Sequence, residues 1–230
     1  MSGRIAGAIQ ARMGSSRVPG KAMLEFGGKP MLWHLIDRLR RVEGLETIVL
    51  ATTADPRNDP MIEYAKQQGV PAVRAEGEDD LARRIAMAFE LTGADWLLKV
   101  GGDCPLIDPP LLTRMVETAV REDGDFVSNR VKWSYPLGLS ADVVSRRGTL
   151  WCDKNLTKPE DRELYALYLR DHPEQFRVVS IEHDRDLSHH GWTVDEPADV
   201  VFMRGVFDAL YRDGKTFGMN DVLSYLERKQ

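Results

Sequence analysis

Cysteine is nearly absent from this 230-residue sequence: Cys104 and Cys152 are the whole complement, and no Cys-x-x-Cys occurs. That argues against a disulfide-built scaffold and against a cysteine zinc site. His183, His189 and His190 match none of the common zinc spacings and read as polar surface or pocket residues. No run of about 18 apolar residues is present, so no membrane span is expected. The residues after Arg4 form only a brief apolar run that leads into arginine, unlike a secretory leader. A cytoplasmic protein is the expectation. Basic residues are not in excess either: 31 Lys and Arg stand against 36 Asp and Glu, a net charge of −5. A chain that neutralises a long phosphate backbone needs the opposite balance, so general nucleic-acid binding is not expected. Internal repeats and low-complexity segments are also missing. What remains is ordinary globular composition, 43% apolar, in a length that suits one domain with a full core.

The most informative stretch is Ala8-Ile-Gln-Ala-Arg-Met-Gly-Ser-Ser-Arg-Val-Pro-Gly-Lys21. It begins as an apolar strand, Arg4 to Gln10, and breaks into a loop of small residues carrying two arginines and a lysine. Gly14, Ser15 and Ser16 let backbone N–H groups approach an anion, and Arg12, Arg17 and Lys21 supply charge for a polyphosphate. The loop is not a P-loop. Five residues separate Gly14 from Gly20, position 22 is Ala where a metal-binding hydroxyl is required, and Pro19 lacks a backbone donor. No Gly-x-Gly-x-x-Gly follows the strand, so the dinucleotide fingerprint is missing too.

Downstream, apolar runs and amphipathic segments alternate. Helical spacing marks the segment from Pro30 through Leu39, with Met31, Leu32, Leu35 and Ile36 on one face. Strands are predicted over 47–52, 71–75, 95–100 and 125–128, and helices from Asp59 to Gln68, after Asp79 or Asp80, and after Asp108. That order indicates an α/β architecture with a mostly parallel sheet and right-handed crossovers. From 130 to about 163 the alternation breaks, and the stretch near 130–190 reads as an inserted region. A helix over 160–171, strands over 176–182 and 192–194, a helix from Pro197 to Tyr211 and a last helix capped by Asn220 complete the prediction.

In an open parallel sheet, ligands bind beyond the carboxyl ends of the strands. Four groups are predicted there: the Arg/Lys loop, Thr52 with Thr53, Asp103, and Asp195 after the late strand. Two carboxylates opposite a cationic phosphate loop suit a magnesium–nucleotide site, because Mg²⁺ takes one or two carboxylates plus phosphates and waters. Cys104 lacks a paired histidine motif and reads as a buried turn residue rather than a nucleophile.

Four motifs in order carry a family resemblance: Gln10 to Lys21, Gly102-Asp-Cys-Pro-Leu-Ile-Asp108, Val127-Ser-Asn129 and Thr193-Val-Asp-Glu-Pro197. Together they resemble the cytidylyltransferase family of the spore-coat polysaccharide SpsF type, related to the CMP-sugar synthetases for acylneuraminate and 3-deoxy-manno-octulosonate. The resemblance covers nearly the whole chain. It implies a three-layer, Rossmann-like sheet of the nucleotide-diphospho-sugar transferase fold, forming one domain over 1–230. It also implies transfer of CMP from CTP to an acceptor with Mg²⁺ as cofactor, and a homodimer formed through the 130–190 region. The residues so implied for the nucleotide are Ala11, Arg12, Gly14, Ser15, Arg17, Lys21, Thr52, Thr53, Gly102 and Asp103. Arg12, Lys21 and Asp103 take the catalytic roles, and Asp103 and Asp195 bind the metal. Asn129, Arg130, Tyr135 and Ser140 fall to the acceptor.

The departures from the family pattern gather on the acceptor side. Thr-Gly-Asp becomes Gly101-Gly102-Asp103. Tyr-Pro-Asp-Gly-Leu-Asp becomes Tyr135-Pro-Leu-Gly-Leu-Ser140, and Arg-Glu-His becomes Arg162-Glu163-Leu164. Losing two carboxylates near Arg130, Lys132, Arg146 and Arg147 makes that region more positive. The expected acceptor is therefore anionic: a sugar acid, or a phosphate or phosphonate. Trp133, Tyr135 and Trp151 are expected at a partner-subunit contact. Two other readings stay open, a glycosyltransferase acting on a ready-made nucleotide sugar and a catalytically silent nucleotide binder. The cations suited to a triphosphate, joined by both aspartates, weigh against each.

Overall fold

A computed structural model describes residues 3–229. The chain opens with β1 (Ile5–Gln10), a small antiparallel ribbon of β2 (Glu25–Phe26) and β3 (Lys29–Pro30), and α1 (Met31–Leu39). It continues through β4 (Thr47–Thr53), α2 (Asp59–Gln67), β5 (Ala72–Ala75), α3 (Leu81–Thr92), β6 (Trp96–Gly101), α4 (Pro109–Glu122) and β7 (Phe126–Ser128). Then come β8 (Ala141–Ser145), α5 (Arg146–Asn155), α6 (Pro159–Glu163), α7 (Tyr165–Asp171), β9 (Val178–Ser180), α8 (Pro197–Leu210) and α9 (Met219–Glu227). Among the described residues no helix is long and apolar enough to cross a membrane.

Seven strands form one sheet in the order β5-β4-β1-β6-β8-β7-β9. β1 lies parallel to both β4 and β6, and β8 alone runs against its neighbours β6 and β7. Alternation along each strand sends side chains to two separate cores. Ile5 and Ile9 of β1, Leu50 of β4 and Leu98 of β6 pack with α1, α4 and α8. Ala6 and Ala8, Ala51 and Leu97 pack with α3, α5 and α7 on the other face. Helices thus cover both faces, which is why these strands carry few polar residues. Each Leu, Ile or Phe taken wholly out of water contributes roughly 1.5–3 kcal/mol.

Helix ends follow the sequence closely. Asp80 caps α3 by accepting from the Arg83 N–H at 3.0 Å, and Asp108 caps α4 through Leu111 at 3.3 Å. The last helix begins two residues earlier than expected: Gly218, with Asp221 reaching back to its N–H, replaces Asn220 as the cap.

The region after 130 departs most from the sequence reading. It supplies β8 and β9 to the main sheet, and α5 follows β8 directly. The predicted 160–171 helix is two pieces, α6 and α7. The predicted 192–194 strand is an extended segment outside the sheet, held by the Trp192 N–H on the Leu137 carbonyl at 2.7 Å and by the Val194 N–H on the Asp103 carbonyl at 2.9 Å. Trp192 and Val194 are fully buried, so their apolar character serves packing rather than strand pairing. Trp151 and Tyr135 are likewise used within the chain. Trp151 stacks on Tyr168 at 5.8 Å, and Tyr135 is 5% exposed against His183.

Candidate active site

Beyond the carboxyl ends of β1 and β6 lies a cleft of 380 Å³, lined by Arg12, Gly14, Ser15, Arg17, Lys21, Gly102, Asp103 and Asp195 among others. The loop that follows β1 forms one wall. It is tied down locally: the Gly20 N–H donates to the Met13 carbonyl at 3.1 Å, and the Met13 N–H donates to Asn58 Oδ1 at 2.8 Å. Asn58 is itself fixed by donating to Thr53 Oγ1 at 2.8 Å. Thr53 therefore supports the loop from behind and does not line the cleft. Thr52 is fully buried and also stays outside it.

The opposite wall is the Gly101–Asp103 turn with the 193–195 segment. The two walls meet at Gly102, where an added Cβ would lie 2.5 Å from the Ala11 Cβ. No larger residue fits between the ends of β1 and β6. The α8 cap is made by Glu196 with Asp199, which leaves the Asp195 carboxylate for the cleft.

Every cation of the loop already carries a carboxylate. Arg12 pairs with Glu78 at 2.9 Å, and Arg17 pairs with Glu196 at 2.6 Å. Lys21 Nζ sits 2.9 Å from Asp195 and 3.6 Å from Asp103, and donates to the Val194 carbonyl at 2.8 Å. Burial pushes the Asp195 carboxyl up, but the Lys21 contact outweighs it and the group ends below the usual range. Arg17 Nη2 also lies 3.9 Å from Asp195, so the two carboxylates are balanced by two cations. Among the described residues no group of three or more His, Cys, Asp or Glu could hold a metal alone. A pair of aspartates that needs phosphates and waters to complete a shell fits Mg²⁺ by donor chemistry. Burial first, and then the Asp103 carboxylate, raise the Cys104 thiol well above its ordinary value, so it remains a neutral donor to Asp103 at 3.3 Å.

A second cleft of 360 Å³ shares Asp103 and Asp195 with the first and extends over Lys99, Arg130, Trp133, Leu137, Ser140, Asp142 and Thr193. Of the four acceptor residues expected from sequence, Arg130 and Ser140 line it. Asn129 does not: it is buried, donating to the Leu139 carbonyl and accepting from the Ala141 N–H, a clamp on the chain entering β8. Tyr135 is also turned away, with its hydroxyl 3.4 Å from Arg114. The basic cluster expected near the acceptor dissolves in the fold. Lys132 pairs with Glu182, Arg146 donates to the Phe89 and Ala94 carbonyls, and Arg147 pairs with Asp123 and Asp125.

Four charged lining residues escaped the sequence reading: Glu78 and Arg84 in the first cleft, and Lys99 and Asp142 in the second; Glu163, named there only as a departure on the acceptor side, lines the first cleft. Arg84 and Glu163 sit on helices whose polar residues look like a solvated face. Lys99 did leave a signal, a lone charge inside the apolar run Trp96-Leu-Leu-Lys-Val100.

A cationic loop facing paired aspartates across the ends of a parallel sheet defines a nucleotidyltransferase. The cytidylyltransferase family profile matches residues 6–184, and the chain belongs to that family. It is 27% identical over 179 residues to the spore coat polysaccharide biosynthesis protein SpsF of Bacillus subtilis, covering 76% of this chain and 73% of that one. Over 182 residues it is 28% identical to the 8-amino-3,8-dideoxy-manno-octulosonate cytidylyltransferase of Shewanella amazonensis, covering 79% and 68%. A cytidylyltransferase structure from Leptospira borgpetersenii superposes with a TM-score of 0.91 at 27% identity, over 98% of this chain and 94% of that one.

Proposed function

We propose that this chain is a Mg²⁺-dependent cytidylyltransferase that moves CMP from CTP to a sugar acid or related anionic acceptor and releases pyrophosphate. The observation that carries this reading is the convergence of Asp103 and Asp195 on Lys21, opposite the Arg12–Arg17 loop. In use, the triphosphate takes over the contacts that Glu78, Glu196 and the two aspartates now make with Arg12, Arg17 and Lys21. Asp103 and Asp195, so freed, would hold the metal, which when bound would supply charge neutralisation at the phosphates and a more acidic acceptor hydroxyl. Gly14 and Ser15 line the triphosphate side, and Gly102 keeps the two walls close. The acceptor enters by the second cleft, and its hydroxyl meets the α-phosphorus where the clefts join, at Asp103 and Asp195. Such chemistry asks mainly for positioning and charge stabilisation, and no protein nucleophile is required. The sugar-acid reading draws support from the substrate named for the Shewanella relative. The enzyme is read as cytoplasmic, as one domain over 1–230, and as a homodimer through the 130–190 region, where Trp133 is 45% and Leu137 41% exposed.

The test is pyrophosphate release measured with each of the four nucleoside triphosphates, Mg²⁺ and a panel of acidic acceptors. Release that requires both CTP and an acceptor, and is lost in Asp103→Asn, is expected. Equal release with any triphosphate, or release without acceptor, would refute the assignment.

A further inference from the structure

The floor of the second cleft holds two cations and one carboxylate. Lys99 on β6 and Asp142 on β8 are direct cross-strand partners, with Nζ 3.1 Å from the carboxylate. Arg130 reaches the same carboxylate through Nη2 at 2.6 Å and Nε at 3.2 Å, and Ser128 Oγ donates to it at 2.7 Å. The Asp142 carboxylate is therefore fully occupied. Burial favours its neutral form, yet Lys99 and Arg130 hold it down at about 2, so it is an anion under all working conditions. Lys99 is 8% exposed, and Asp142 is its one acceptor among the described residues. Its Nζ also lies 5.5 Å from the centroid of the Tyr165 ring, and the residue lines the cleft. A buried ammonium normally has its charge matched and its donors used. Here the matching carboxylate is shared with a guanidinium that is itself always charged. The cluster carries one positive charge too many, facing a cavity whose far side is Asp103 and Asp195.

We propose that Lys99, with Arg130, binds the acceptor through a single carboxylate and so selects sugar acids over phosphorylated acceptors, with Asp142 as the positioning residue that sets the charge count. This rests on the transferase reading above for the identity of the cleft. A carboxylate supplies the one missing negative charge and can accept from Lys99 and Arg130, which both line the cleft. A phosphate dianion would leave the buried cluster with a net negative charge beside two aspartates. Asp142 fixes Arg130 with a two-pronged contact and fixes Lys99 across the ladder, so both donors stay aimed without contacting the reacting atoms.

The experiment pairs equilibrium binding with kinetics, using 3-deoxy-manno-octulosonate and glucuronate as carboxylate probes and glucose 6-phosphate as the dianionic probe. Titration calorimetry on the full chain without nucleotide is expected to show millimolar or tighter binding of a carboxylate probe and weaker binding of the phosphate. Lys99→Met is expected to weaken carboxylate binding, and to raise the acceptor KM, by tenfold or more, while the CTP KM and melting temperature stay unchanged. Lys99→Arg should recover most of the loss. Asp142→Asn adds a net charge and should shift the preference toward the phosphate probe. The proposal is overturned if the wild-type chain binds no carboxylate probe at millimolar concentration or prefers the phosphate. It is equally overturned if Lys99→Met leaves carboxylate binding intact, or if its loss tracks the melting temperature and is not restored by arginine. Binding measured without nucleotide reports on Lys99 alone, whereas failure of the CTP assignment would show as missing CTP binding.

Discussion

Lys21 stands between two carboxylates that would otherwise repel each other. On the proposed reading it would release them to a metal and would then meet the triphosphate. Removing it should therefore change two affinities in opposite directions. Lys21→Met is expected to tighten Mn²⁺ binding in the absence of nucleotide and to weaken CTP binding by tenfold or more, as read by manganese paramagnetic resonance and by CTP titration. If both affinities fall together, Lys21 is not a competitor for the metal position. Asp103→Asn keeps the shape of the turn and removes the proposed metal ligand. It is expected to lower kcat by about 100-fold or more, on the scale of losing an electrostatic contact made to developing charge, with an unchanged far-ultraviolet spectrum. That Arg12, Arg17, Lys21, Asp103 and Asp195 meet at one cleft was legible in sequence because they fall in short motifs at strand ends. Lys99 and Asp142 lie 43 positions apart and meet only through the register of two strands. Thr52 and Thr53 erred the other way. Standing at a strand end does not say which face a side chain takes, and here both turn into the fold.

At the scale of elements, the acceptor side is built by docking two loops. Leu137 donates to the His190 carbonyl at 2.9 Å and accepts from Trp192, so the 136–139 turn and the 190–195 segment are held together. Gly138 makes this approach possible. Its φ is +101°, and an added Cβ would lie 2.4 Å from the Trp192 carbonyl oxygen. Gly138→Ala meets both a left-handed backbone and a backbone clash, and should cost about 2 kcal/mol or more, read as a lowered urea midpoint. Because the same segment delivers Asp195, metal affinity should fall as well. A variant of wild-type stability would show that the loops do not depend on this contact. The sequence pattern caught the parallel strands, whose apolar runs are long, and missed β8. That strand is buried on both faces yet spells Ala-Asp-Val-Val-Ser, since its aspartate is spent on Lys99 and Arg130. The 192–194 stretch misled for the complementary reason: an apolar triplet can be buried by loops as well as by a sheet.

For the whole molecule, two buried titratable groups contribute to how stability responds to acid. His34 is enclosed by Phe207, Trp33 and Tyr211, and its Nε2–H donates to the Phe26 carbonyl at 2.7 Å. Burial pulls its pKa from 6.5 down to about 4. Between those values the unfolded chain binds the extra proton, so stability falls as pH drops, by up to about 3 kcal/mol. Asp142, at about 2 against an ordinary 3.8, adds a contribution that is full above the ordinary value and is lost as pH falls toward about 2, of about 2 kcal/mol. Urea midpoints should therefore decline between pH 6.5 and 4.5 in the wild-type chain, with a clearly shallower slope in His34→Phe. Identical slopes would remove His34 from the account. The α/β plan with a mostly parallel sheet was legible from alternation, whereas the pairing of the 130–190 stretch into the sheet depends on contacts far apart in the chain.

The position of bond breaking in the triphosphate gives the sharpest test of the two-walled site. CTP labelled at the α-phosphorus, incubated with the enzyme, Mg²⁺ and a sugar acid that it accepts, should place the label in the acceptor-linked product and leave the released pyrophosphate unlabelled. Label recovered in CDP, or phosphate released from the γ-position, would contradict attack at the junction of the clefts and the function drawn from it.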